Sequence, residues 1–268
     1  MKKVVLFSLL LCISFVGFSQ ETQNEDTQTS DNSWNFNVTP YLQFAGMTGE
    51  IDFDVNPLLG GTIPVDATFS DLANNLSFAF MVNAEASKGK WTIMTDFIYL
   101  KLDKGGTTQF DSDIISSTAK AELEQIIFEL GGGYQFAKTG NFTFDAIAGA
   151  RFFNLDNSIA FNLTSPDGSI DISQSFNNNL SFTDPYIGFR YKTNWNKWRH
   201  TARIDVGGFG AGSEYSWKFN VMFGFDVSKT IAIAAGYQGY GVDYRESDVN
   251  FRYDMYTGGG VLGLNFHF

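Results

Sequence analysis

The chain has 268 residues, 18 basic and 29 acidic, and two of the basic ones, Lys2 and Lys3, fall in its first segment, leaving 16. That balance excludes nucleic-acid binding as a main role, because such binding depends on neutralising phosphates. Beyond residue 19 no run reaches the roughly eighteen apolar residues of a membrane helix, so a helical membrane protein is excluded as well.

In chain order, residues 1–19 carry Lys2 and Lys3, an apolar run from Val4 to Val16, and small residues at Gly17 and Ser19. This is the layout of a secretory signal peptide cut after Ser19, since the apolar run is too short to cross a bilayer. The one cysteine, Cys12, lies inside it behind Leu11, which is not the small residue a lipoprotein site prefers. The mature chain is therefore expected to have no thiol, disulfide or lipid anchor. Residues 20–33 hold no aromatic or aliphatic side chain and read as a flexible acidic tail.

From Trp34 onward the apolar period is two, which marks strands. Ten are expected, starting near residues 34, 76, 91, 121, 141, 181, 199, 214, 231 and 251. In the first, Trp34, Phe36, Val38, Leu42 and Phe44 share one face and Asn35, Asn37, Thr39, Tyr41 and Gln43 the other. Phe78, Phe80 and Val82 likewise oppose Asn83 and Glu85, while Trp91, Ile93, Phe97 and Tyr99 oppose Thr92 and Asp96. Farther on, Ile126, Phe128 and Leu130 oppose Glu129, and Phe142, Phe144 and Phe152 oppose Asp145 and Arg151. The eighth sets Tyr215, Trp217, Phe219, Val221, Phe223 and Phe225 against Ser216, Lys218, Asn220 and Asp226. The last alternates through Leu262, Leu264 and Phe266 to end on Phe268.

The connections alternate in length. Tight turns near 88–90, 137–140, 194–197 and 227–230 bear lysines, whereas 48–75, 104–120 and 155–180 are long, and the first long one holds Glu50, Asp52, Asp54, Asp66 and Asp71 without a base. Aromatic residues mark both strand ends: Trp34, Trp91, Tyr134, Tyr191 and Phe268 on the turn side, Phe44, Tyr99, Phe152, Tyr215 and Trp217 on the loop side. Even strand number, short inner turns, longer outer loops and two aromatic girdles are the pattern of a transmembrane barrel. Residues 34–268 are thus expected to form a single antiparallel all-β barrel in the outer membrane, with both ends in the periplasm. An eight-strand count stays open if one hairpin lies outside the wall. A soluble sandwich would instead have to crowd most of 28 phenylalanines into its core.

The face opposite the aromatics becomes the lumen, and its charges are the candidate site: Glu85, Asp96, Glu129, Asp145, Arg151, Asp184, Arg190, Arg203 and Asp205. Antiparallel pairing of the fifth and sixth strands puts Asp145 opposite Arg190 and Arg151 opposite Asp184 in one register, and opposite charges so placed stabilise. Such a network either fills and rigidifies the barrel or filters a narrow pore.

Catalysis has little to stand on. The two histidines, His200 and His267, both fall near turn-side strand ends. The run Gly207 to Ser213 has no terminal lysine and opens no helix, so it reads as a tight hairpin rather than a phosphate loop. Asp52 with Asp54, and Asp111 with Asp113, are too loosely spaced for a calcium motif. No catalytic residue, cofactor or metal is expected.

Several stretches resemble a family of small, largely uncharacterised Gram-negative outer-membrane barrels, OmpW- and OmpA-like in general form. They include Trp34 to Tyr41, Phe69 to Leu72, Phe78 to Met81, Lys88 to Trp91, Gly149 to Arg151, Asp184 with Pro185, Gly188 and Arg190, Asp205 to Gly210, Gly236 with Tyr237, Asp243 with Tyr244, and the closing strand. Gln238 departs from the pattern, which favours arginine there and so implies one more lumen ion pair. The resemblance implies contact with outer-membrane lipids and lipopolysaccharide, and recognition of the last strand, ending at Phe268, by the barrel assembly machinery. It brings no established activity. Two functions are therefore expected: a structural or narrow small-solute channel protein, or a surface binding or adhesion protein using the loops 48–75 and 155–180.

Overall fold

The computed structural model describes residues 33–54, 60–106, 116–164, 171–246 and 251–268. The expected signal peptide, and all of the acidic tail except Ser33, lie outside these residues. Eleven strands and one short helix follow in order: β1 (Asn35–Asp54), β2 (Gly60–Ala67), α1 (Phe69–Asn74), β3 (Leu76–Lys88), β4 (Trp91–Gly106), β5 (Ser116–Thr139), β6 (Phe142–Thr164), β7 (Asp171–Trp195), β8 (Trp198–Gly208), β9 (Tyr215–Asp226), β10 (Ile231–Glu246) and β11 (Phe251–His267).

From β3 to β11 each strand pairs antiparallel with the next, and β11 returns to β1 over Asn37↔His267 to Asp52↔Arg252. The sheet is thereby closed, with ten strands in its wall. At the seam Phe36 N–H donates to Phe268 O at 2.8 Å and Phe268 N–H donates back to Phe36 O at 3.1 Å. The terminal residue is thus the last stitch of the barrel.

β2 stands outside that wall. Pairing of β1 with β3 ends at Pro40↔Val82, where proline has no N–H to offer a ladder. From Met47 upward β1 takes β2 as its partner instead. α1 then leads down to β3, its N-terminus held by a capping box in which Asp71 N–H donates to Thr68 Oγ1 and Thr68 N–H to Asp71 Oδ2.

Alternation assigns the faces. Phe80, Trp91, Ile93, Leu130, Phe142, Ile187, Phe189, Ile204, Phe223 and Leu262 are exposed on the outside, while Arg151, Phe153, Asp184, Tyr186 and Asp205 are buried within. Large apolar residues outside and charges inside invert the soluble arrangement and fit a lipid surround. On one side two-residue turns make three of the connections, with positive φ at Gly89, Gly140 and Asn196, their first central residues, and residues 227–230 join β9 to β10; the twist of the two-residue turns matches a hairpin.

The loop side departs from expectation. Residues expected as long loops are largely strand: β5, β6 and β7 run 24, 23 and 25 residues, against the roughly 9–11 a membrane crossing needs. β8 and β9 stop low instead, at 11 and 12 residues. They are joined through Gly208, Phe209 and Gly210, all at positive φ, and Gly210 N–H donates to Ser213 O. Among the described residues, no strand covers the outer edge of β7 above Tyr186. The rim is therefore high on the β5–β7 side and low at β8–β9.

Candidate functional site

Three layers stack along the lumen. The middle one is the charge layer, and its ladder geometry explains it. Glu129 on β5 lies directly opposite both Asp96 on β4 and Arg151 on β6, while Arg203 and Asp205 follow each other inward on β8 beside Lys218 on β9. Arg151 donates from Nε to Glu129 at 2.8 Å and from Nη2 to Asp205 at 2.7 Å. Arg203 joins the same two acids at 2.9 and 2.7 Å. Lys218 Nζ donates to Asp96 at 2.7 Å and to Glu129 at 2.9 Å, and Tyr41 Oη donates to Asp96 at 2.9 Å. Three acids and three cations close the layer, so each buried charge meets opposite charge and hydrogen bonds. The Tyr186 ring lies against both guanidiniums, 5.2 Å from Arg151 and 5.0 Å from Arg203. It fits because Gly131 and Gly149 leave room, since a Cβ on either would lie 2.1 or 2.6 Å from its hydroxyl.

Toward the turns lies a second group, in which Arg190 holds Asp145 at 2.8 Å and Glu85 at 2.6 Å. The pair Asp145 and Arg190 was legible as register partners. The other register pair, Arg151 opposite Asp184, is present in the ladder but makes no ion pair. Arg151 turns to Glu129 and Asp205 instead, while Asp184 accepts from the N–H and the hydroxyl of Ser213, both at 2.7 Å, and so anchors the β8–β9 connection to β7. Lys218 and Tyr41 belong to the network although sequence reasoning left them out of it; their parity on the polar face was the available signal. Gln238 fills its place without an ion pair, its side chain accepting from Asn220 Nδ2 and donating to Gln43 Oε1.

Above the charges the lumen is apolar. Phe153, Phe182, Tyr240, Tyr253, Met47, Met81 and Met255 are all buried there, with Val65 on β2 and Leu72 on α1 packed on them from above. Phe153 stacks on Phe182 at 4.9 Å, and Phe182 stacks on Tyr244 at 4.9 Å, reaching across the low rim from β7 to β10. Arg151, Phe153, Tyr186 and Asp205 are fully buried in the middle of the barrel.

Below the charges the lumen opens. A cavity of about 590 Å³ runs from Asp96, Arg203, Lys218 and Gln238 down to Gly89, Lys90, Gly140 and Asn141 in the short turns and Asn194 near the end of β7. It is a vestibule lined by polar and apolar groups alike, open at the turn side, with the network at its inner end.

The remaining candidates fall elsewhere. His200 faces outward, within hydrogen-bond reach of Tyr191, and His267 Nε2 accepts from Arg199 at 2.8 Å. Asp52 accepts from Thr62 Oγ1 at 2.6 Å, while Asp111 and Asp113 lie outside the described residues. On the outer rim Asp243 is buried, which would raise its pKa, but hydrogen bonds and charge from Arg252 and Arg245 outweigh this and lower it.

No family model and no curated protein matches the chain. Among solved structures, the attachment invasion locus protein Ail of Yersinia pestis is 10% identical, with 88% of this chain and 98% of that chain covered at a TM-score of 0.35. The translocator domain of autotransporter NalP from Neisseria meningitidis is 12% identical, with 88% of each chain covered and a TM-score of 0.36. The P. putida toluene transporter TodX is 10% identical, with 88% of this chain and 90% of that chain covered and a TM-score of 0.29. None of these scores lets one protein's activity stand for another's. The chain is an outer-membrane-type β-barrel by its own closure and its two faces.

Proposed function

We propose that the protein is a closed, non-enzymatic barrel of the outer membrane, delivered there after loss of its signal peptide, whose work is done at its outer rim as a structural and surface-contact protein. The carrying observation is the filled lumen: a neutral layer of six hydrogen-bonded charges beneath a buried aromatic layer. A ten-stranded barrel is close to the width that side chains alone can fill. The rim supplies what the lumen lacks, a tall sheet of β4 to β7 with one unpaired edge. Segment 155–180 carries Asp156, Asp167 and Asp171 and no base, so the surface suits a basic partner. Lipids and lipopolysaccharide meet the aromatic outer face, and the seam strand ending at Phe268 is the part offered to the assembly machinery.

Reconstituted in a planar bilayer, the protein is expected to show no steady single-channel steps; a stable conductance would restore the narrow-channel reading. Shortening residues 155–180 to a tight turn is expected to leave a folded barrel and to abolish adhesion of cells displaying it. Undiminished adhesion would remove the surface reading.

A further inference from the structure

The basic residues at the turn end fall into two sets. Lys88 stands 5.7 Å over the outward ring of Trp34, and Lys197 stands 6.0 Å over that of Phe225. Both therefore sit at the lipid boundary, where lysines meet headgroups. Lys90, Lys138, Lys192 and Arg199 line the vestibule instead, inside the wall, where lipid does not reach. Arg199 is paired with Asp226 at 2.7 Å, and Arg203, Lys218 and Asp96 belong to the neutral layer above, so Lys90, Lys138, Arg190 and Lys192 remain around the cavity against two acids, Glu85 and Asp145. Those acids are already engaged by Arg190. Lys192 shares Asp145 at 3.4 Å, and no acid among the described residues pairs with Lys90 or Lys138. A protein of net charge −11 thus keeps a surplus of positive charge in this recess.

Ion pairing does not account for that surplus, because Lys90 and Lys138 meet no acid among the described residues. A concave wall of low dielectric focuses such a field and concentrates anions of matching size. The volume of about 590 Å³ falls within the roughly 300–1,000 Å³ of small-molecule sites. Asn37, Asn141 and Thr143 among the lysines add neutral hydrogen-bonding groups. We propose that the vestibule binds a small multivalent oxyanion, a solute bearing phosphate or carboxylate groups, which enters from the turn side. That this side faces the periplasm rests on the orientation proposed above; the site itself does not.

The test is calorimetric titration of the full chain in detergent micelles with inorganic pyrophosphate and with citrate, and with glucose as the neutral control. Saturable binding of one anion per barrel, weakening as salt is raised, is expected, and none of glucose. The double variant Lys138→Gln/Lys192→Gln should lower affinity at least tenfold, while Lys88→Gln/Lys197→Gln should leave it unchanged. Lys138→Gln alone, at the exposed end of β5, makes the same comparison should the double variant fail to fold. Absence of saturable anion binding would overturn the proposal, as would equal losses from the inward and outward pairs, which would mark a diffuse surface effect or a headgroup site. Binding of citrate without pyrophosphate would keep the site and assign it to carboxylates.

Discussion

Arg151 has a side chain with no exposure at all, bonded to Glu129 on one neighbouring strand and to Asp205 two strands away. A buried ion pair of this kind adds little over well-packed apolar groups, but removing one member strands the other in a dry interior. Arg151→Ala leaves Glu129 with Arg203 and Lys218 and leaves Asp205 with Arg203 alone. The expected loss of unfolding free energy is about 3–5 kcal/mol, read by urea titration in micelles. Asp184→Asn is the contrasting change. Its carboxylate makes two hydrogen bonds to Ser213, and the amide keeps one acceptor, so about 1.5–3 kcal/mol is expected for the charged bond lost. Should Asp184→Asn prove the costlier of the two, the coupled network around Arg151 would not be what holds the lumen.

At the scale of elements, the membrane wrote its own signature into the sequence. Where lipid meets the wall, every second residue must be apolar, as in Tyr215, Trp217, Phe219, Val221 and Phe223, and all ten wall strands were legible from that alternation. Above the membrane both faces meet water and the constraint lapses. The run Asn177-Asn178-Asn179 pairs in register with Asp156, Asn157 and Ser158, yet nothing in its composition marks a strand. The same lapse hid β2. Partner choice in the network was only half legible, because register tells which residues face each other and not which of two flanking acids a long guanidinium takes. Since β1 has β11 on one side over its whole crossing and β3 on the other up to Pro40, β2 is dispensable to closure. Replacing residues 60–67 with a short glycine-serine linker is expected to preserve the heat-dependent gel shift of a folded barrel while lowering its melting temperature, since Val65 and Ala67 no longer cover the apolar layer. Loss of the gel shift would show that β2 belongs to the wall.

On the proposed reading, the lumen of the whole molecule carries two seals in series, and they differ in kind. The charge layer excludes ions because its six groups already satisfy one another, so a passing ion finds no uncompensated site. The aromatic layer excludes them because it offers little beyond the hydroxyls of Tyr240 and Tyr253 to replace hydration. Either seal should suffice alone. Arg151→Ala with Glu129→Ala removes one cation and one acid, leaving Arg203 with Asp205 and Lys218 with Asp96. Phe153→Ala with Phe182→Ala deletes the stacked pair whose rings sit 4.9 Å apart. Each Phe→Ala costs about 3–5 kcal/mol, so only protein that passes the gel-shift test for a folded barrel enters the bilayer. Both double variants are expected to remain electrically silent in planar bilayers, and the fourfold variant to conduct in discrete steps. Conduction by the phenylalanine pair alone would mean that the charge layer is permeable and the aromatic layer is the only barrier. Conduction by the Arg151 and Glu129 pair alone would reverse that assignment, and the apolar stack would then be packing rather than a gate.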